Sequence, residues 1–287
     1  MSRGSDKVRL LTGGDQRVVE RLLRMTDYAY QRFTFEELPM LLAHYPAAGI
    51  FRGTTLTSFL LSQTVNPPSA WIGGFGVAWP ENTHALDLFD TLLAYLTPSL
   101  IARGTQHLYY SGNDVQKDWL RDALLKRGFL LHRLLYAYDK FDYHIPTQGN
   151  QQVTIRPVRV DDIPTLLAID EACFEPLWRY DAVSFADIAS THPYFVVAEL
   201  HGRVMGYQFN ALEDTSGYLV RIAVQPAVNS QGIGARLMAE AVRFFEGRRV
   251  TRIMLNTQDD NIHAHRLYEW FGFIRIQQTG FTLRKML

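Results

Sequence analysis

One order of segments occurs twice in this chain of 287 residues. Arg9 to Leu23 (RLLTGGDQRVVERLL) and Arg156 to Leu167 (RPVRVDDIPTLL) both pass from a strand-like run through an acidic turn into a helical pattern. WIGGFGVAWP from Trp71 parallels YLVRIAVQP from Tyr218. HLYYSGNDVQKDWLRDALLKRGF, closing on Gly128-Phe129, parallels IMLNTQDDNIHAHRLYEWFGF, closing on Gly272-Phe273. Self-similarity of this kind predicts two copies of one α+β unit, each a mixed, mostly antiparallel sheet flanked by helices. The polar stretch FDYHIPTQGNQQ, with Pro146 and Gly149, reads as the link between them. It divides the chain into domains 1–145 and 152–287.

The second half is the more legible. After the strand VTIRPVR comes a helix from Asp161 to about Cys173, with Ile163, Leu166, Leu167 and Ile169 on one stripe. Tyr194 to Leu200 and Val204 to Leu212 form a hairpin through His201-Gly202-Arg203, and Gly217 to Val224 makes a third antiparallel strand. A helix over about 231–246, the strand RIMLNTQ, a helix carrying Ala264, Leu267, Tyr268 and Phe271, and a strand near Phe273 to Ile276 follow. The tail is expected to return as a further strand.

The chemistry gathers where a strand runs through a glycine-rich turn into a helix, at VQPAVNSQGIGA from Val224 to Ala235. Such a turn aims successive backbone N–H groups, at the positive end of the helix dipole, into one concavity, which is an anion site. Gly232 and Gly234 admit a phosphate where a Cβ would obstruct it. A helix start that needs glycine only for turn geometry is the simpler alternative. The whole molecule carries 29 basic and 29 acidic residues, so no global field holds a polyanion or an anionic membrane surface. Neither a nucleic-acid nor a membrane partner is expected. Cys173 is the one cysteine, which leaves no intramolecular disulfide and suits a reducing, cytoplasmic setting. The start MSRGSDKVRL has no apolar signal core.

The succession V-x-P, Q-G-I-G-A and L-N-T-Q-D-D-N-I-H-A-H-R-L-Y-E-W-F-G-F resembles the acyl-CoA-binding core of the GCN5-related N-acetyltransferase (GNAT) superfamily, over roughly 153–281. The resemblance implies two tandem GNAT-like units, the first a degenerate copy, and direct transfer of acetyl from acetyl-CoA to a primary amine. It implies that Gly232, Ile233, Gly234 and Ala235, with Gln231, cradle the pyrophosphate through their amides. It also implies that backbone at Ala223 and Val224 pairs with the pantetheine arm. Where the family usually has Arg or Gln, three positions before the first glycine, this chain has Asn229, and the amide cradle does not depend on it. Asn256 and Asn261 join the cofactor contacts, and Asn261 is also a natural N-cap. Tyr268 stands where relatives place a general acid. A phenol with a reference pKa of about 10 is protonated at neutral pH and can donate, although residues 264, 267, 268 and 271 also share a core stripe.

No metal is expected. His263 and His265 are two apart on a helix and point to different sides, so they make no i, i+4 chelating pair and read as surface histidines. Cys173 reads as a small buried residue. Glu213 and Asp214 are the carboxylates nearest the strand on which relatives carry a base, and they read as a solvated turn. Phe174 to Trp178 and Ile222-Ala223-Val224 have counterparts in the branch that acetylates ribosomal-protein N-termini. That branch usually has glutamate in place of Asn256 and aromatic residues in place of the GFTLRKM tail, so a peptide N-terminus is one acceptor beside small-molecule amines. In the first half, Val77-Ala78-Trp79-Pro80 leads into a segment without glycine before Gly104, and Leu124 stands opposite Tyr268. Both the cradle and the phenol are missing there, and Trp71, Trp79, Tyr109 and Tyr110 read as core rather than as a cleft wall. A non-catalytic acyl-CoA sensor is the alternative; Tyr268 and Asn261 argue against it.

Overall fold

The structure is a computed structural model that describes residues 6–64 and 67–287. It divides into two units: Met1–Ser111 with Trp119–His132 and Thr282–Leu287, and Gly112–Asp118 with Arg133–Phe281.

In the first unit, β1 (Lys7–Leu10) leads through a 3-10 turn at Gly13–Asp15 into α1 (Gln16–Arg24). Asp15 builds that turn. Its carboxylate accepts from both arms of Arg9, at 2.9 and 2.6 Å, and from the Thr12 amide at 2.9 Å, so a donor at the helix start is satisfied. There follow β2 (Ala29–Gln31), α2 (Leu38–His44), β3 (Ala47–Arg52), β4 (Thr55–Thr64), β5 (Ser69–Val77), α3 (Ala85–Ala102), β6 (His107–Gly112) and α4 (Arg121–Leu125). β1, β3, β4 and β5 pair antiparallel in that order, β2 adds to β5, and β6 runs parallel to β5 at Ser69–Trp71. β5 is buried along its whole length, which is why it reads as an apolar run without alternation. Among the described residues α3 alone is long and apolar enough to cross a membrane by length and composition. Its stripe of Phe89, Leu92, Leu96 and Leu100 is buried, with Phe89 edge-on to Phe75 at 5.2 Å. Trp71, Tyr109 and Tyr110 lie in the core, and Trp79 is exposed.

The second unit repeats the plan. After β7 (Leu130–Lys140), β8 (Thr154–Pro157) leads through a 3-10 turn at Val160–Asp162 into α5 (Ile163–Cys173). Asp162 accepts from Arg156 at 2.7 and 2.8 Å and from the Arg159 amide at 2.8 Å, the same fork six residues apart that opens the first unit. α6 (Ala182–Thr191), β9 (Tyr194–Leu200), β10 (Arg203–Glu213), β11 (Ser216–Val224), α7 (Ile233–Gly247), β12 (Arg252–Gln258), α8 (Ile262–Trp270) and β13 (Ile274–Met286) complete the chain. β8, β9, β10 and β11 are antiparallel neighbours, β12 runs parallel to β11 at Ser216–Tyr218, and β7 pairs antiparallel with β12.

Two features differ from the sequence reading. α6 was not anticipated; Asp181 caps it by accepting from the Ser184 amide at 2.7 Å. The tail does not return: β13 is one strand of 13 residues, and Gly280 within it takes no positive φ that would turn the chain. Two residues of the link pack against the start of α7. Asn150 donates from its amide to Gly232 O at 3.1 Å and from its side chain to Gln231 O at 3.0 Å. Gly149, at φ +67°, lies so close to α7 that a Cβ would sit 2.3 Å from Arg236 N.

Candidate active site

β11 and β12 are paired only as far as Tyr218 and Met254. Beyond that point β11 keeps β10 on one side, with Tyr207 opposite Ala223 and Gly206 opposite Val224, while its other edge is left without a strand. At Val224 the chain enters a 3-10 turn, Pro226–Val228, and then α7. Ser230 (φ +63°) and Gly232 (φ +75°) are both left-handed, and the resulting bend turns the first amides of α7 outward. Among the described residues no side chain caps this helix, and no group accepts from the amides of Ile233, Gly234 and Ala235.

These amides open on a cavity of about 600 Å³. Of the expected site residues, Ala223, Val224, Asn229, Gly232, Ile233, Gly234, Ala235, Asn261 and Tyr268 line it. Ala172, Cys173 and Phe174 at the end of α5, and His263, Arg266 and Trp270 on α8, also line it. Positions 263, 266 and 270 follow helical spacing, which puts them on one face; in the sequence His263 reads as surface. Arg266 is the one Asp, Glu, Lys or Arg among the described lining residues, and with the start of α7 it makes the cavity favourable to anions.

Tyr268 is both things that its position allowed. Its ring belongs to the core, 5.8 Å from Tyr138 and 6.1 Å from Phe273, while its hydroxyl bonds to no group among the described residues and the residue borders the cavity. Burial holds the phenol protonated well above its ordinary range, and the neighbouring Tyr218 and Tyr138 add to this. Asn261 caps α8, accepting from the Ala264 amide at 3.2 Å, and donates to Thr257 Oγ1 at 3.1 Å. Cys173 donates to Val224 O at 3.2 Å, and burial pushes its thiol up to about 11.

Gln231 and Asn256 are not among the lining residues. Asn256 donates to the hydroxyl of Tyr218, and Gln231 is held by its carbonyl to Asn150. His265 is no plain surface histidine: its Nδ1 lies 2.7 Å from the hydroxyl of Tyr138 and its Nε2 3.3 Å from Asp259 O. Its role was invisible in the sequence because Tyr138 is 127 residues away. Among the described residues no group of three or more His, Cys, Asp or Glu is placed to hold a metal.

Residues 163–273, the span that contributes all the described residues of this wall, match the Acetyltransferase (GNAT) family. The chain is 24% identical over 121 residues to a Bacillus subtilis (strain 168) protein provisionally named a ribosomal protein bS18-alanine N-acetyltransferase, covering 42% of this chain and 80% of that one. It is 34% identical over 80 residues to mycothiol acetyltransferase of Kineococcus radiotolerans, which is 28% of this chain and 26% of that one. A solved tandem GNAT protein from the clavulanic acid biosynthesis pathway has the same fold over 98% of both chains, at a TM-score of 0.66 and 11% identity. Over residues 163–273 the chain carries a domain that matches the GNAT family. It is an acyltransferase of the N-acetyltransferase kind, with the fold of a tandem GNAT protein along its length.

Proposed function

We propose that this protein transfers acetyl from acetyl-CoA directly to a primary amine of a small molecule or peptide, with the second unit as the catalytic domain and the first as a degenerate copy. One observation carries the reading: three uncapped amides at the start of α7 and the free hydroxyl of Tyr268 open on the same cavity. The residues fit the donor. The amides of Ile233, Gly234 and Ala235 suit a pyrophosphate, and Arg266 adds a cation at the wall. The free edge of β11 at Ala223 and Val224 offers backbone pairing to an extended arm and an N–H to the oxygen on which charge develops.

Acetyl-CoA supplies an activated thioester. Tyr268, kept protonated by burial, donates its proton to the leaving sulfur. The described lining residues include no carboxylate, so the amine is taken up in its neutral form from solution, water accepting the proton. A cytoplasmic setting accords with a single cysteine and no disulfide.

Calorimetric titration with acetyl-CoA, followed by assay of thiol release across an amine panel, tests the reading. The panel includes an alanine-terminated peptide, since one relative is named for that acceptor. One saturable site and release with at least one amine are expected. Binding without release for any amine overturns the transfer reading in favour of a sensor, and no binding overturns both.

A further inference from the structure

Arg221, on β11 two residues before Ala223, is a charged residue inside an apolar layer. Only 11% of its side chain is exposed, and its partner Asp170 on α5 shows 1%. Arg221 Nη1 donates to Asp170 Oδ1 at 2.5 Å, and Nη2 donates to Trp178 O at 2.7 Å. The same carboxylate accepts from the hydroxyl of Tyr207 on β10 and, through Oδ2, from the Tyr180 amide at 2.8 Å. The guanidinium lies between two rings, 4.0 Å from the centroid of Phe174 and 4.1 Å from that of Tyr180.

Among the described residues, every hydrogen bond and ring contact of this ion pair outside the sheet and α5 falls on the segment from Phe174 to Tyr180, which joins α5 to α6. That segment is a short 3-10 turn with few internal backbone bonds, and Phe174 lines the cavity beside Ala223 and Val224. A buried ion pair is a poor device for stability alone, because hydrophobic residues of similar volume serve as well. A planar, five-donor group wedged between two rings and a carbonyl is suited to holding a loop in one place.

We propose that Arg221, anchored by Asp170, is a positioning residue. It fixes the Phe174–Tyr180 segment as the cavity wall against which the acceptor amine is aligned, leaving acetyl-CoA binding to the α7 turn. This rests on the transferase reading above.

The test uses the full chain carrying Arg221→Lys, which keeps a cation for Asp170 but loses the second donor arm and the flat ring contact. Hydrogen exchange over 174–180 is expected to quicken while the bonded amides of α7 from Arg236 onward keep their protection. The acceptor KM is expected to rise at least about tenfold, with the calorimetric Kd for acetyl-CoA within about twofold of wild type. A double variant, Arg221→Met with Asp170→Asn, removes the pair without leaving a buried charge and is expected to show the same pattern. Unchanged exchange over 174–180 overturns the proposal whether or not turnover is detected. So does a loss of acetyl-CoA affinity as large as the change in acceptor KM. If wild type releases no thiol with any amine, it is the transferase reading that fails, and exchange still decides the bracing role.

Discussion

At the scale of single residues, the protein turns on side chains whose two ends do different work. The ring of Tyr268 packs in the core and its hydroxyl is left for the cavity. Tyr268→Phe keeps the packing, so thiol release is expected to slow by on the order of 10²-fold while the calorimetric Kd for acetyl-CoA stays within about twofold. The folded-state pKa of Tyr268 is raised, so the acid stays protonated across the ordinary range. With no carboxylate among the described lining residues, kcat/KM for the acceptor is expected to rise about tenfold per pH unit toward the amine's own pKa. No falling limb is expected below about pH 10, the ordinary phenol value. A plateau near pH 6 would instead reveal a carboxylate or histidine base. Cys173, pushed up to about 11, is expected to alkylate at pH 8 on the order of 10²-fold more slowly than a free thiol, as a timed mass measurement would read. The sequence stripe at 264, 267, 268 and 271 by itself read Tyr268 as core, and only the resemblance read it as an acid. A pattern of apolar positions reports where a ring goes and says nothing of where its hydroxyl points.

At the scale of elements, the turn between β11 and α7 works through its backbone, and its glycines are not equivalent. Gly232 has a left-handed φ, so a side chain there is strained. Gly234 is helical, and a Cβ would meet Leu267 Cδ2 at an ordinary 3.5 Å. Gly234→Ala is therefore expected to melt within a few degrees of wild type yet weaken acetyl-CoA binding at least about tenfold, because the methyl enters the cradle. Unimpaired binding would show that the anion does not rest there. The paired forks behave as acid-sensitive clasps. Hydrogen bonds from Arg9 and Arg156 hold Asp15 and Asp162 below their ordinary values, so the stability they add is full above the unfolded carboxylate value of about 3.9. That stability is lost as pH falls through the lower folded values. Urea unfolding of Asp162→Asn is expected to show less of this acid loss than wild type. Strands such as Arg252–Gln258 were legible to the residue because apolar spacing and turn residues bound them. α6 and the full length of β13 were not legible, since one rests on a single aspartate cap and the other on neighbouring strands.

At the scale of the whole molecule, two units share one plan and differ in equipment. In the first, α3 starts at Ala85 behind His84 with no glycine, and Leu124 is fully buried where the second unit has Tyr268. One acetyl-CoA per chain is therefore expected by calorimetry, and two would overturn the reading of the first unit as degenerate. The sequence by itself determined the duplication, the order of strands and helices in the second unit apart from α6 and the tail, and the glycine turn. These are local or periodic properties, carried by residues a few positions apart. Tertiary structure alone decided which side chains share the cavity. Cys173, His263, Arg266 and Trp270 joined it, and Gln231 and Asn256 were left out, because a cavity wall is assembled from elements distant in the chain. The same holds for Arg221 and Asp170, 51 residues apart, whose pairing exists only where β11 and α5 meet. It holds as well for the link at 149–150, whose fit against α7 depends on a close approach that no local pattern encodes.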